Sequence, residues 1–227
     1  MRRIGLVVTN IVLLLSLLSP VQLLAQNQDE DSFVEQLLAR MTVEEKVGQL
    51  FLVTFVGNDL SEGSDIVELV TQYHVGGVVL LASNENFTNN EDTPRQVAEL
   101  TNGLQKWAFV ASQPPQASNE GTATPTPAPT GQFIPLFVAV DHEGDGYPYT
   151  RITGGVTALP NNMALGATWK ESNAEAVGQI VGQELAAMGI NLLLGPSLDV
   201  LDNPRPGLRG DLGTRCFGGD PYWVSKF

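Results

Sequence analysis

Three carboxylates and a histidine fall within five positions, Asp141-His142-Glu143-Gly144-Asp145, and Arg151 follows after Gly146-Tyr-Pro-Tyr-Thr150. Ionised carboxylates only accept hydrogen bonds and arginine only donates them. Together they offer fixed acceptors and donors close together in the chain. A second group lies at Gly195-Pro-Ser-Leu-Asp199-Val-Leu-Asp202, with Arg205, Arg209 and Arg215 in the Gly-rich stretch behind it. Arginine forks hold hydroxyls or carboxylates bidentately. Plainer roles fit the same residues: a solvated acidic loop for the first group, and surface ion pairs with Asp202, Asp211 and Asp220 for the arginines.

Each group stands directly behind an apolar run. Four such runs occur, Gln49-Leu-Phe-Leu-Val-Thr-Phe-Val56, Gly77-Val-Val-Leu-Leu81, Pro135-Leu-Phe-Val-Ala-Val140 and Ile190-Asn-Leu-Leu-Leu194. Their apolarity is continuous rather than alternating, the pattern of strands buried on both faces. Helical spacing separates them. Ser64 to Tyr73 carries Ile66, Val67, Leu69 and Val70, Thr93 to Trp107 opens with Pro94 at its first helical position, and Ser172 to Met188 ends at Gly189. Before the first run, Ser32 to Arg40 has helical spacing through Phe33, Leu37 and Leu38, and Thr42-Val-Glu-Glu45 forms a capping box. Strands alternating with helices predict parallel βαβ units, an α/β fold with its sites at the carboxyl ends of the strands. Both chemical groups are at such ends.

Two segments stand outside this alternation. Residues 1–25 have the layout of a secretory signal peptide: Arg2 and Arg3, the apolar stretch Ile11 to Leu18, then Ser19-Pro20 and a cleavage site near Ala25. The apolar stretch is shorter than the roughly 20 residues a membrane span needs, so the expectation is export with no stable membrane insertion after cleavage. Residues 112–132 are rich in Pro, Thr, Ser, Ala and Gly and lack the apolar content to offset ordering entropy. They read as a disordered insertion, or else as an interdomain linker; the resumption of strand and helix immediately after them is what an insertion predicts.

Composition narrows the ligand. With 25 acidic against 12 basic side chains and a net charge of −13, the chain is no nucleic-acid binder and no partner for anionic membranes. One cysteine, Cys216, excludes a disulfide framework and a cysteine-based zinc site, and two histidines make a histidine-rich metal centre improbable. No motif calls for a metal or an organic cofactor. A phosphate-cradling glycine motif is absent as well, which disfavours a phosphate-binding enzyme built on the arginine loop.

Six ordered motifs carry a more specific signal: Met41-Thr-Val-Glu-Glu-Lys-Val-Gly-Gln-Leu-Phe51, Ile134-Pro-Leu-Phe-Val-Ala-Val-Asp-His-Glu-Gly144, Leu159-Pro-Asn-Asn-Met-Ala-Leu-Gly-Ala-Thr168, Glu184-Leu-Ala-Ala-Met-Gly-Ile-Asn191, Gly195-Pro-Ser-Leu-Asp-Val200 and Arg215-Cys-Phe-Gly-Gly-Asp-Pro221. Together, over residues 33 to 227, they resemble the N-terminal (β/α)8 barrel domain of glycoside hydrolase family 3, which includes β-N-acetylhexosaminidases and β-glucosidases. The resemblance implies a TIM barrel of which this chain carries about the first four βα units. It also implies that Asp141 binds hydroxyls of the sugar being cleaved, with Arg151 and Arg215 in the same pocket. His142, Glu143 and Asp199 support that pocket rather than perform chemistry. Two departures from the family pattern are Asp145, in place of a second glycine with extra residues before Arg151, and Cys216 in place of a serine.

Members of the family are retaining enzymes, in which an aspartate nucleophile and a separate acid/base cleave the glycosidic bond in two displacements. The resemblance places the nucleophile on a late barrel strand and the hexosaminidase acid/base histidine in or after a Lys-His-Phe-Pro-Gly-His-like region, and neither occurs in this sequence. Asp220-Pro221 reads as a helix start under two turns from Phe227. Four strands do not close an eight-stranded barrel. The sequence is therefore expected to be the front part of a secreted exo-β-glycosidase, inactive by itself, with β-N-acetylhexosaminidase preferred over β-glucosidase. The alternative is a non-catalytic sugar-binding barrel that keeps the pocket rim.

Overall fold

A computed structural model describes residues 32–113, 133–143, 151–201, 203 and 212–227. The expected signal peptide, most of the expected insertion, the loop Gly144 to Thr150 with Asp145, and Asp202, Arg205, Arg209 and Asp211 lie outside the described residues. The chain divides into two compact units at Lys46–Val47. In the first, residues 32–40 form helix α1. The capping box follows: Thr42 N–H donates to Glu45 Oε2 at 2.8 Å, and Glu45 N–H donates to Thr42 Oγ1 at 3.1 Å. These bonds satisfy two otherwise orphaned donors at the start of α2 (Val43–Gly48).

The second unit is an α/β layer. Strands β1 (Leu52–Val53), β2 (Gly77–Val79), β3 (Phe137–Val140) and β4 (Leu192–Leu193) form one parallel sheet in sequence order. The register sets Val53 beside Val78, Val78 beside Val138 and Ala139 beside Leu192. Helix α3 (Asp65–Thr71) joins β1 to β2, α4 (Thr93–Ala111) joins β2 to β3, and α5 (Asn162–Ala167) and α6 (Glu171–Ala187) join β3 to β4. This is the repeated βα connection of a TIM-like fold.

The core forms where two buried stripes meet the inner strands. Helix α4 buries Val97, Leu100, Thr101, Leu104 and Ala108, one face at a spacing of three to four residues. These pack with Val78, Leu80, Val138 and Val140, all fully buried, and with Val181, Leu185 and Met188 at the end of α6. Gly189 ends α6 at φ 77°, and a Cβ there would lie 2.5 Å from Thr101 Oγ1. Glycine is thus required twice over, for the left-handed turn and for the contact. The same Thr101 hydroxyl donates to Met188 O at 2.8 Å, tying α4 to the end of α6.

Several expectations need correction. Burial on both faces holds for β2 and for Val138 to Val140 of β3, but Phe137 at the start of β3 is exposed, as are Leu50, Phe51, Leu52 and Val56 around β1 and Leu194 after β4. For β1 and β4 the reason is position: they end the sheet, each with one paired neighbour among the described residues. The strands are also shorter than the apolar runs. At β3 two amides take over the backbone groups before the ladder. Gln105 of α4 bonds both the N–H and the C=O of Leu136, and Asn191 bonds Leu136 O and Val138 N–H. Helix α3 is shorter than Ser64 to Tyr73, α6 starts one residue before Ser172, and α4 continues past Trp107 to Ala111, with Thr93 rather than Pro94 as its first helical residue. Ser112, expected within the insertion, is buried and closes α4, its hydroxyl donating to Phe109 O at 2.7 Å. Helix α5 was read only as a motif. Asn161 caps it, its side chain accepting from Ala164 N–H at 2.8 Å. At the other end of the chain, α7 (Pro221–Val224) starts as expected, with the Asp220 carboxylate accepting from Tyr222 N–H at 2.8 Å.

Candidate functional site

Strand β3 ends at Val140, and the next three residues, Asp141, His142 and Glu143, carry the chemistry. Arg151 returns to this strand end: its N–H donates to Asp141 O at 3.1 Å, and its Nη2 lies 3.3 Å from Asp141 Oδ2. Both side chains are about a quarter exposed. Asp141 Oδ1 and Arg151 Nε are buried and have no hydrogen-bond partner among the described residues. Unpaired buried polar atoms are costly, about 1 to 3 kcal/mol each, so this pair is held in a less than fully satisfied state. Burial raises the Asp141 carboxyl above its ordinary pKa; Arg151 opposes this, Glu143 adds to it, and Arg215 also opposes it.

The second pair is closed. Arg215 Nε donates to Glu143 Oε2 at 2.5 Å and Nη2 to Oε1 at 2.6 Å, a bidentate fork on a carboxylate only 3% exposed. Arg215 belongs to a short 3-10 turn, Gly213–Arg215, whose position α5 sets: Asn162 Nδ2 donates to Arg215 O at 2.7 Å. The expected arginine is therefore present at the strand end, but its guanidinium is engaged by Glu143. Asp220, one of the carboxylates considered as its surface partner, caps α7 instead.

His142 is buried, its Nδ1 has no hydrogen-bond partner, and burial lowers its pKa against the opposing charge of Glu184. It borders a cavity of about 510 Å³ lined mainly by Val177, Val181, Leu185, Leu193, Phe217 and Phe227. Neither Asp141 nor Arg151 lines that cavity; Glu143, Asn162 and Asn191 are its other polar lining residues. Asp199 is exposed and hydrogen-bonded to Ser197 at 2.9 Å. The structure thus brings Asp141, Arg151, Glu143 and Arg215 to one strand end, with His142 behind them and Asp199 bonded within its own loop. Among the described residues no group of three or more His, Cys, Asp or Glu is arranged to hold a metal ion, and no helix is long and apolar enough to cross a membrane.

Two asparagines that carry this arrangement had no role assigned from sequence. Asn162 holds Arg215, and its signal was the Asn-Asn pair, of which one amide caps and the next reaches away. Asn86, buried after β2, accepts from Leu81 N–H and donates to Phe55 O and Gly57 O, joining the carboxyl-end loops of β1 and β2.

Comparison with known proteins gives the same placement. Residues 42–227 match the family model for the glycosyl hydrolase family 3 N-terminal domain. The chain is 31% identical over 166 residues to a beta-hexosaminidase A of Pseudoalteromonas piscicida, covering 71% of this chain and 23% of that protein. It is 27% identical over 195 residues to a periplasmic beta-glucosidase of Salmonella typhimurium, covering 86% and 19%. Among solved structures, a family 3 beta-N-acetylglucosaminidase from Paenibacillus aligns with a TM-score of 0.63 at 34% identity, over 82% of this chain and 29% of that one. The chain spans less than a third of the length of each of these proteins. Its motifs, its parallel βα layer and these likenesses agree: the chain belongs to glycosyl hydrolase family 3, whose N-terminal domain its residues 42–227 match.

Proposed function

We propose that this chain supplies the sugar-holding front part of a secreted exo-β-glycosidase that removes terminal β-linked sugars with retention of configuration. The favoured substrate is a terminal N-acetylglucosaminide. Asp141 and Arg151 carry the reading. They bring one acceptor and one donor, neither with a partner among the described residues, to the end of β3, on side chains that are about a quarter exposed. A sugar hydroxyl, which both donates and accepts, is a fit partner for either group once the pocket admits it. The relatives support the class, since their names include both hexosaminidases and a glucosidase. Their greater length, and the four strands present here, support an activity completed by further polypeptide that brings the nucleophile and the acid/base. Residues 1–25 direct export on this reading and are removed near Ala25.

The test uses the protein expressed from its complete reading frame. Hydrolysis of 4-nitrophenyl N-acetyl-β-glucosaminide should exceed that of the β-glucoside, and Asp141→Ala should lower kcat/KM for both. Turnover of neither substrate would overturn the enzyme reading, and preference for the glucoside would reassign the sugar. N-terminal sequencing of the exported protein should begin close to Gln26.

A further inference from the structure

Resting on that pocket reading, we propose that Asn89, on the loop between β2 and α4, is a positioning residue that holds Arg151 in place for the sugar. Its side-chain amide grips the backbone on both sides of Ile152. Nδ2 donates to Arg151 O at 2.8 Å, and Oδ1 accepts from Thr153 N–H at 2.9 Å. This is the pair of bonds a neighbouring strand would make, supplied here by one side chain. On the other side Arg151 N–H donates to Asp141 O at 3.1 Å. The backbone of Arg151 is therefore held twice, by β3 through its N–H and by Asn89 through its C=O.

The Arg151 side chain has little else to fix it. Among the described residues its one hydrogen bond is the 3.3 Å contact to Asp141, and its Nε has no partner. A long side chain with one weak tether points where its backbone aims it. Asn89 in turn has a firm base. Thr93, in the first turn of α4, accepts from Asn90 N–H at 2.8 Å and donates to Thr88 O at 3.0 Å. Ile152 is fully buried beneath the clamp, and a Cβ on Gly154 would lie 2.1 Å from Asn90 O, so the two loops meet backbone against backbone. The start of α4, the 88–90 turn, Asn89 and Arg151 form one continuous support. In this arrangement the loop after β2 sets pocket geometry without touching the sugar.

The experiment measures kcat and KM for the 4-nitrophenyl glycosides, and competitive inhibition by free N-acetylglucosamine, in the protein from its complete reading frame. The variants are Asn89→Ala, Arg151→Ala, the double variant, Asp141→Ala, and Glu91→Ala as a control on the same loop. Asn89→Ala should raise KM and the inhibition constant together by about tenfold, the scale of one to two lost hydrogen bonds. In the Arg151→Ala background the same change should have almost no further effect, because the two act as one unit. Asn89→Asp keeps the acceptor for Thr153 but sets a carboxylate oxygen against Arg151 O in place of the donor, so it should raise KM as well, and it serves if the alanine variant fails to fold. Wild-type constants for Asn89→Ala or Asn89→Asp, an equal loss from Glu91→Ala, or an undiminished effect without Arg151 would overturn the proposal. If Asp141→Ala and Arg151→Ala themselves leave the constants unchanged, the pocket reading falls and takes the proposal with it. Losses in those two variants beside wild-type Asn89 variants would overturn the role of Asn89 alone.

Discussion

Two carboxylate–arginine pairs stand at the end of one strand, two residues apart on the acid side, and they are built differently. Glu143 and Arg215 are locked in a short bidentate fork with the carboxylate buried. Asp141 and Arg151 share one contact at 3.3 Å and keep an oxygen and a nitrogen buried without partners. The first pair spends its hydrogen-bonding capacity on the fold. The second withholds it, which costs stability. On the proposed reading those open groups are the ones that meet the sugar, and the closed pair beside them keeps the strand end in shape.

The largest effect should come from breaking the closed pair. Glu143→Ala removes both bonds of the charged fork from a buried carboxylate and should destabilise the protein by about 1.5 to 3 kcal/mol, read as a shift of the urea midpoint. Asp141→Ala should change stability far less, within about 1 kcal/mol, since it removes a partly exposed and poorly paired charge. Equal losses from the two variants would erase the distinction between the pairs. For ligand the order reverses. Asp141→Ala should weaken sugar binding by about 1.5 to 3 kcal/mol, roughly 10- to 150-fold, as expected for a hydrogen bond to a charged group.

A pH series sharpens the contrast. Because burial raises the Asp141 pKa in the folded protein above 3.8, the folded state binds its proton more readily than the unfolded state does. Its contribution to stability is then fully present below the unfolded value and is lost as pH rises through the folded one. Asp141→Asn should remove that loss, making the variant more stable than the parent near neutral pH while its sugar affinity falls. Thermal midpoints of parent and variant across the acid range check this. A variant less stable than the parent at neutral pH would show that Arg151 repays more than burial costs.

Much of this was legible in the sequence, and the limits have physical causes. The four runs marked four strands because parallel strands are covered on both faces, and that reading failed around β1, where Leu50 to Leu52 are exposed, and at Phe137, the first residue of β3. The Asp220-Pro221 start of α7 and the Thr42–Glu45 box were readable because capping is local. The cluster at Asp141 was visible, but the partners were not. Glu143 meets an arginine 72 residues away, and Asn89 meets Arg151 62 residues away. Pairings of that span depend on how the units stack, which periodicity does not encode. Asn162 and Asn86 escaped for the same reason: each bonds backbone groups of distant segments, and nothing in the neighbouring residues marks it.

The smallest effect belongs to His142, between the two acids. His142 and Glu143 both border the cavity against α6, which neither Asp141 nor Arg151 lines. Burial holds its pKa below 6.5, and the charge of Glu184 only partly offsets this. The folded protein therefore resists protonation that the unfolded chain accepts. The sign follows: the contribution of His142 is fully present above about pH 6.5 and is lost as pH falls through the lower folded value. His142→Gln keeps a polar side chain of similar length but does not titrate, so the unfolding midpoint of the variant should stay flatter than that of the parent between about pH 7.5 and 5. The opposite sign separates this effect from that of Asp141, whose contribution is lost as pH rises. Parallel profiles for parent and variant would mean that His142 is accessible to protons without cost, and that the strand end is open on both faces rather than on the Asp141 side alone.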